Sequence, residues 1–212
     1  MCKLADPSGC LPPAPANAIW AIEQSEATLS NASGSLDKER MIRFMIHIVG
    51  DIHQPLHAAQ YFSSQFPAGD RGGNSWRIAG VPYATELHAM WDEGLGQWTQ
   101  QLKRPWNATG QRWVGDLAAK VMGLHPVASM GAFIANHNVS AWAEESFAIA
   151  EGFVYTAPQA PARIPAAYSA QGQEIALKQL AIDGYRLAEA LELVLTSPKD
   201  AAYTRVHARR GL

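Results

Sequence analysis

The sequence predicts an all-α fold, a compact bundle of helices with almost no sheet. Apolar residues recur with a period near 3.6 in several segments, the longest of which runs from about 170 to 196. Only one short stretch, residues 76–78, resembles a strand. The chain has 212 residues, of which 48% are hydrophobic and 17% charged, so it can bury a sizeable core. We predict a single domain over residues 1–212 that begins with coil over 1–16.

The first two predicted helices are separated by a cluster of helix-breaking residues. Residues 17–30 have a helical composition, and the Asn-Ala-Ser-Gly-Ser run at 31–35 interrupts it. Asp37 is the predicted N-cap of the second helix. That helix must end near residue 53, because Pro55 disfavours the helical conformation of the residue before it.

Four further helices are predicted after a glycine-rich loop at 70–74. The first of them is short and covers about 84–95. An Ala/Pro run at 157–167 predicts a loop late in the chain. The other three predicted helices cover 110–122, 140–151 and 170–196.

Charge and hydropathy exclude some partners. The net charge of -2 argues against a broad basic face for duplex DNA. No apolar run approaches the roughly 20 residues that span a bilayer, so no membrane span is predicted. The first residues also lack the apolar core of about 7–15 residues that marks a signal peptide. We expect a secreted or periplasmic protein if a longer parent chain carries such a signal, and an intracellular one otherwise.

Two interpretations of the cysteines Cys2 and Cys10 remain open. They are either unrelated thiols near the terminus or a small disulfide loop in an exported protein.

Two clusters of histidine and aspartate predict a metal site. His47 and Asp51 form one His-x-x-x-Asp pair, and His88 and Asp92 form a second, while His57 follows the first pair after a helix break. Positions i and i+4 lie on one face of a helix, so each pair can aim an imidazole and a carboxylate at the same point. Imidazole nitrogen and carboxylate oxygen are the ligands of catalytic zinc.

The helix that carries the first pair is otherwise apolar between residues 41 and 49. A carboxylate buried there without a partner is costly, so Asp51 is expected to need a metal or a salt partner.

The other histidines are predicted to have structural roles. His53 follows Asp51 by two positions and points away from it on a helix. His125 and His137 lack a carboxylate at ligand spacing, and His207 lies in a basic tail. Trp91 is predicted to belong to the core.

Three motifs resemble the S1/P1 nuclease family. They are Gly-Asp-Ile-His-Gln-Pro-Leu-His at 50–57, Asp-Arg-Gly-Gly-Asn at 70–74 and Leu-His-Ala-Met-Trp-Asp at 87–92. The likeness continues at 142–146 and 184–188. It implies a helical bundle of the phospholipase C/P1 nuclease type around a cleft for up to three zinc ions. Members are zinc-dependent nucleases that prefer single strands and also act as 3′-nucleotidases.

The resemblance also implies roles for individual residues. His57, His88 and Asp92 match the complete ligand set of one zinc. His47 and Asp51 match ligands of a zinc pair, with Asp51 in the bridging position. Asp51 and Asn74 are the residues assigned to catalysis.

The family's remaining zinc ligands have no match in this sequence. The family takes them from an N-terminal tryptophan and from histidines and an aspartate that follow it, and no His or Trp precedes Trp20. The chain is therefore expected to be the C-terminal two-thirds or more of a family member.

The function expected from this resemblance is hydrolysis of single-stranded DNA or RNA, and of 3′-nucleotides, by a metal-activated water. The expected partner is the single-stranded nucleic acid or nucleotide substrate, with no stable protein partner. Two alternatives stay open at this point. One is a zinc phospholipase C-like hydrolase, and the other is an inactive truncated remnant that only binds zinc.

Overall fold

The computed structural model describes residues 3–4, 14–31, 34–100 and 102–196. Within these ranges the chain forms seven α-helices and one pair of two-residue strands, so the all-α prediction is confirmed. Cys2, Cys10 and His207 lie outside the described residues. The helices are α1 (Ala18–Asn31), α2 (Ser35–His53), α3 (Leu87–Asp92), α4 (Ala108–Leu124), α5 (Val127–Ile134), α6 (Val139–Gly152) and α7 (Ala166–Thr196).

The ends of the first two helices follow local sequence. The Asn17 side chain accepts a hydrogen bond from the backbone N–H of Trp20 and so caps α1. The prediction of Asp37 as the N-cap of α2 is wrong, because Gly34 holds that position and Asp37 lies in the first turn. A carboxylate there still interacts favourably with the helix dipole. The helix ends at His53, as the proline two residues later predicts.

Three other predicted elements are corrected by the structure. The short helix predicted over 84–95 is limited to α3 and a following 3-10 turn, Gly94–Gly96, in which Leu95 has a φ of 54°. Within residues 76–78 there is one isolated backbone bridge, from Arg77 to Glu86, instead of a strand. Within the predicted N-terminal coil, β1 (Lys3–Leu4) pairs in parallel with β2 (Tyr61–Phe62).

Helix α7 is the element around which the other helices pack. Its 31 residues contact α1, α2, α4 and α5, and also the Gly94–Gly96 turn. One core cluster joins α1, α2 and α7 through four buried side chains. These are Leu29, Met45, Ala190 and Val194.

Helix α3 divides its residues between the core and a surface cleft. Leu87, Met90 and Trp91 are buried in the largest apolar cluster, which confirms the core prediction for Trp91. Burial of each such side chain contributes about 1.5–3 kcal/mol. His88 and Asp92 are four residues apart on another face of α3, and Asp92 lines the cleft.

Among the described helices, none alone is long and apolar enough to cross a membrane. Helices α4 and α5, bent by 82° relative to each other, meet the length and composition limits only as a pair.

Candidate metal centre

The turn after α2 and the helix α3 bring His57, His88 and Asp92 together. One ligand atom from each lies within 4.8 Å of the other two. His57 Nε2 is 3.8 Å from Asp92 Oδ1, and His88 Nε2 is 3.5 Å from Asp92 Oδ2. Two imidazoles and one carboxylate form a ligand set of catalytic zinc sites, which leave a further coordination position open.

Gln54 explains how the turn after α2 is held against α3. The Oε1 atom of its side-chain amide accepts a hydrogen bond of 2.6 Å from the Leu56 N–H, at the start of the 3-10 turn Pro55–His57. Its amide nitrogen donates a bond of 2.9 Å to Asp92 Oδ1, across 38 residues of sequence. Gln54 therefore positions both the turn that carries His57 and the carboxylate of Asp92.

The glycine-rich loop orients His88. Nδ1 of His88 lies 2.6 Å from the carbonyl oxygen of Gly72 and must donate its proton there, which leaves Nε2 free to face the cleft. Gly72 has a φ of +60°, and a Cβ on it would lie 2.6 Å from the Leu56 carbonyl oxygen. Only glycine therefore fits at this position.

Asp70 anchors the same loop from below. Its carboxylate is fully buried and accepts hydrogen bonds from Tyr61 N, Gly73 N and the Tyr155 hydroxyl. Burial raises the pKa of Asp70, against the lowering effect of these donors. Asp70 thus holds the loop whose backbone orients His88.

His47 and Asp51 lie beside this cluster on an exposed face of α2. His47 Nε2 is 3.5 Å from Asp51 Oδ2, and His57 Nδ1 is 4.0 Å from the same oxygen. The expectation of a buried carboxylate is wrong, because the Asp51 side chain is 36% exposed and the His47 side chain 75% exposed. The apolar residues of α2 that enter the core, such as Met45 and Val49, occupy another face. The prediction that His47 and Asp51 are metal ligands is therefore supported by the distance between them and not by their burial.

Asp183 of α7 is a third carboxyl group in the cleft that sequence reasoning missed. Its Oδ1 is buried and has no hydrogen-bond partner among the described residues. Burial, and then the charge of Asp51, raise the pKa of Asp183 to about 7. The only sequence signal was a carboxylate between Ile182 and Tyr185, within the apolar stripe of the last helix.

The cleft between α2, α3 and α7 has a volume of about 220 Å³. It contains both aspartates of the two His-x-x-x-Asp pairs, His57 and Asp183. Its wall includes Trp98, whose side chain joins the cleft to a neighbouring groove.

The charges of the cluster are coupled. The Asp92 carboxylate raises the pKa of the His57 imidazole, against the lowering effect of partial burial. Burial acts to raise the pKa of Asp92, but His57 and Gln54 outweigh it and hold that pKa below its ordinary value. A metal needs the neutral imidazole, so protons and a cation compete at His57.

Two other predicted residues, Asn74 and His53, have their polar groups engaged by other parts of the protein, although His53 also lines the cleft. Asn74 is exposed, and its amide donates a hydrogen bond of 2.9 Å to the Arg71 carbonyl oxygen. The contacts of Asn74 therefore give no support to its predicted catalytic role. His53 is buried between the Val49 carbonyl oxygen and Arg186, in agreement with its predicted structural role. Burial, assisted by the charge of Arg186, lowers the pKa of His53 to about 4.

Two histidines outside the cleft, His125 and His137, have structural contacts of their own. His137 Nε2 lies 3.4 Å from Glu189 Oε1, a carboxylate from α7 that sequence spacing did not reveal. His125 forms the C-cap of α4.

Comparison with known proteins identifies relatives with nuclease names. The chain matches the S1/P1 Nuclease family model over residues 8–196. It is 27% identical to Endonuclease 3 of Arabidopsis thaliana over 165 residues, which are 76% of this chain and 53% of that protein. It is 30% identical to Nuclease S1 of Aspergillus oryzae over 77 residues, or 36% of this chain and 24% of that protein.

The chain thus spans about half the length of Endonuclease 3 and a smaller share of Nuclease S1. The family match nevertheless extends from the first described helix to the end of α7 and includes every residue of the cleft. The chain belongs to the S1/P1 nuclease family.

Proposed function

We propose that this chain is a zinc-dependent hydrolase that cleaves phosphodiester bonds in single-stranded DNA or RNA. The observation that carries the proposal is that ligand atoms of His57, His88 and Asp92 lie within 4.8 Å of one another, at a cleft that His57 and Asp92 line. Membership of the S1/P1 nuclease family, which is zinc-dependent, gives that cleft its chemical context.

The donor set and the charge of the cleft fit a bound cation. Asp51, Asp92 and Asp183 line the cleft, and none of its described lining residues is Lys or Arg. A phosphodiester is an anion and is repelled by the carboxylates of Asp51 and Asp92, and by Asp183 when it is ionised, unless a cation neutralises them. The buried Oδ1 of Asp183 also lacks a partner among the described residues, as expected beside a cation site.

Some residues of the cleft would bind the metal, and others position those ligands. His57, His88 and Asp92 would hold one zinc, and His47 and Asp51 are placed to contribute to a neighbouring one. Bound zinc supplies a Lewis acid for the phosphoryl oxygens and lowers the pKa of water toward neutrality.

The residues behind the ligands limit how far the ligands can move. Gln54 fixes Asp92 by its hydrogen bond, and the Gly72 carbonyl fixes the ring of His88. Such outer contacts typically change metal affinity or activity by about 10–100-fold when they are removed.

A phospholipase C-like hydrolase would use a similar set of ligands. The family match favours the nuclease, because both the family model and the relatives reported above are nucleases.

Elemental analysis after exhaustive dialysis tests the metal assignment. We expect the wild type to retain zinc and the His57→Ala/His88→Ala variant to lose it. A His125→Ala/His137→Ala variant removes the same number of histidines outside the cleft and should retain zinc. Equal zinc contents in all three proteins would show that the assignment is wrong.

Cleavage of single-stranded DNA and RNA tests the activity. We expect wild-type cleavage that a chelator stops and added zinc restores, and none by the His57→Ala/His88→Ala variant. A wild-type protein that hydrolyses a phospholipid headgroup but no nucleic acid would favour the phospholipase alternative.

A further inference from the structure

A groove lined by three tryptophans lies next to the metal cleft. It has a volume of about 370 Å³ and runs between the start of α4 and the segment before it. Trp98 and Leu180 line both the groove and the cleft, so the two are continuous. The full lining is Trp98, Gln100, Leu102, Arg104, Trp106, Trp113, Val114, Leu117 and Leu180.

Trp98 is held rigidly at the junction of groove and cleft. Its indole N–H donates a hydrogen bond of 2.6 Å to the backbone carbonyl of Asp92. Its ring lies against Gly94, which has a φ of +55°, and a Cβ there would come within 2.3 Å of the ring. The wall between the two sites is therefore an indole ring that is hydrogen-bonded to the backbone of Asp92, a predicted metal ligand.

Trp106 presents an exposed aromatic surface at the other end of the groove. It is 40% exposed and lies just before α4. The backbone around it is ordered by the N-cap of α4, where Asn107 Oδ1 accepts a hydrogen bond of 3.0 Å from Gly110 N. The Gln111 side chain also donates to the Trp106 carbonyl oxygen. Trp106 lines the groove together with Trp98 and Trp113, so its exposed ring is part of a contiguous aromatic surface and is not an isolated exposed side chain.

The groove also differs from the rest of the chain in charge. Residues 98–120 contain four basic residues and one acidic residue, a surplus of three positive charges in a chain whose net charge is -2. All four basic residues are exposed. They are Lys103, Arg104, Arg112 and Lys120. Only Arg104 among these four lines the groove itself, which therefore has one positive and no negative side chain, whereas the adjoining cleft is lined by three aspartates.

Aromatic faces combined with positive charge match one chemical class of ligand. Bases of a single strand stack on tryptophan whatever their identity, and the phosphates between them contact Lys and Arg. A purely apolar partner would leave the basic residues without a role. A duplex keeps its bases stacked on each other and cannot offer their faces to the groove.

We propose that this groove binds unpaired nucleotides of the strand on one side of the scissile phosphate. The inference rests on the proposed function, since the continuity of groove and cleft matters only if the cleft cleaves nucleic acid. Trp106 and Trp113 supply the stacking surfaces, and Arg104 supplies a phosphate contact. The groove thereby favours strands of several nucleotides over mononucleotides.

Binding of a fluorescent eight-nucleotide oligothymidylate with hydrolysis-resistant phosphorothioate linkages, measured by anisotropy in the presence of zinc, tests the groove without cleavage. We expect Trp106→Ala to raise the Kd about 10-fold, since loss of one stacked base costs about 1–3 kcal/mol. Trp106→Phe should restore most of the affinity. Trp20→Ala is the matched control, because Trp20 is also exposed but lies on α1, and it should bind like the wild type.

Salt dependence tests the contribution of charge separately. Arg104→Gln should weaken binding at low salt and reduce the slope of log Kd against log salt. An unchanged slope would remove Arg104 from the proposed site. Circular dichroism of each variant confirms that the fold is retained.

The outcomes separate this proposal from the proposed function. Equal Kd values for the wild type, Trp106→Ala and Trp113→Ala would contradict the proposal that the groove binds nucleotides, whether or not the protein cleaves DNA. A change in oligomeric state on Trp106→Ala, with unchanged oligonucleotide binding, overturns it in favour of a second copy of the chain. Groove-dependent binding by a protein that cleaves no strand supports the groove and overturns the proposed activity alone.

Discussion

The run at residues 50–57 places two histidines in opposite environments. His53 is 2% exposed, and both of its ring nitrogens are within hydrogen-bond distance of a partner. His57 lies in the cleft, where its ring nitrogens face the carboxylates of Asp51 and Asp92 at 3.8–4.0 Å. The difference shows what separates a structural histidine from a candidate ligand, namely whether its lone pair is already engaged by the protein.

Arg186 is the centre of the buried hydrogen-bond network that includes His53. Its guanidinium forms hydrogen bonds with both carboxylate oxygens of Glu145, with the Phe133 carbonyl oxygen and with Nε2 of His53. It also lies over the ring of Trp142. Four helices, α2, α5, α6 and α7, are joined by this one side chain. The cleft has no equivalent cation among its described lining residues.

The largest expected effect comes from breaking the buried network. Arg186→Met should lower the free energy of unfolding by about 2–3 kcal/mol, because it removes the buried donor shared by Glu145, the Phe133 carbonyl oxygen and His53. Arg43→Met is the matched control, since Arg43 pairs with Glu39 on the surface and should cost about 1 kcal/mol or less. Urea unfolding with a chelator present measures both. Similar losses in the two variants would contradict a special role for the network.

The pH dependence of stability should distinguish the two histidines. Folding lowers the pKa of His53 from 6.5 to about 4, so the unfolded state takes up the proton first as the pH falls. This residue should remove up to about 3 kcal/mol of stability between pH 6.5 and 4. His53→Gln should be less stable at pH 7, but its stability should fall less steeply over that interval.

His57 should behave in the opposite way. Its raised pKa means that its contribution is fully present below pH 6.5 and is lost as the pH rises through the folded pKa. His57→Gln should therefore steepen the loss of stability on acidification. Thermal unfolding from pH 4.5 to 8 in a chelator measures both variants, and slopes that change in the same direction would contradict the comparison.

A smaller effect is expected from Asp183, the unpartnered carboxyl of the cleft. Its pKa rises from 3.8 to about 7 on folding, so it opposes folding increasingly as the pH rises over that range. Asp183→Asn should stabilise the metal-free protein at pH 8 by about 1–2 kcal/mol after relaxation of the site is allowed for. The exposed Asp116→Asn should change little. We expect zinc to abolish the gain, and a gain that persists in zinc would place Asp183 outside the influence of the cation.

The smallest effect is expected from Asn74. Its exposed amide bonds only to the Arg71 carbonyl oxygen in the described structure, so Asn74→Ala should change stability by about 0.5 kcal/mol or less. Zinc retention should be unchanged, and cleavage should fall less than about tenfold. A much larger loss of cleavage with zinc retained would restore the catalytic role that the sequence predicts.

Local spacing accounts for the parts of the site that sequence predicts well. The i,i+4 relation places His88 beside Asp92 on one helix, and Pro55 correctly predicts where α2 ends. No periodic sequence pattern predicts contacts between residues that are distant in the chain. The bond from Gln54 to Asp92 and the approach of Asp183 depend on how the helices pack.

Burial was harder to predict than the presence of helices. The apolar composition of α2 suggested a buried Asp51, but Phe44 and Ile46 of the same helix are also exposed, so composition alone did not reveal which face is covered. Helix α5 was missed because its eight residues are too few to show a period.

The bond between the Trp98 indole and the Asp92 carbonyl gives the protein an internal optical probe. An indole within a few ångströms of a metal ligand changes its emission when the charge around it changes. The proposed ion capture at Asp92 and the proposed strand capture in the groove would both affect this indole. The chain has seven tryptophans, so the signal of Trp98 is the difference in emission between the wild type and Trp98→Phe, and this difference should report the order in which ion and strand arrive.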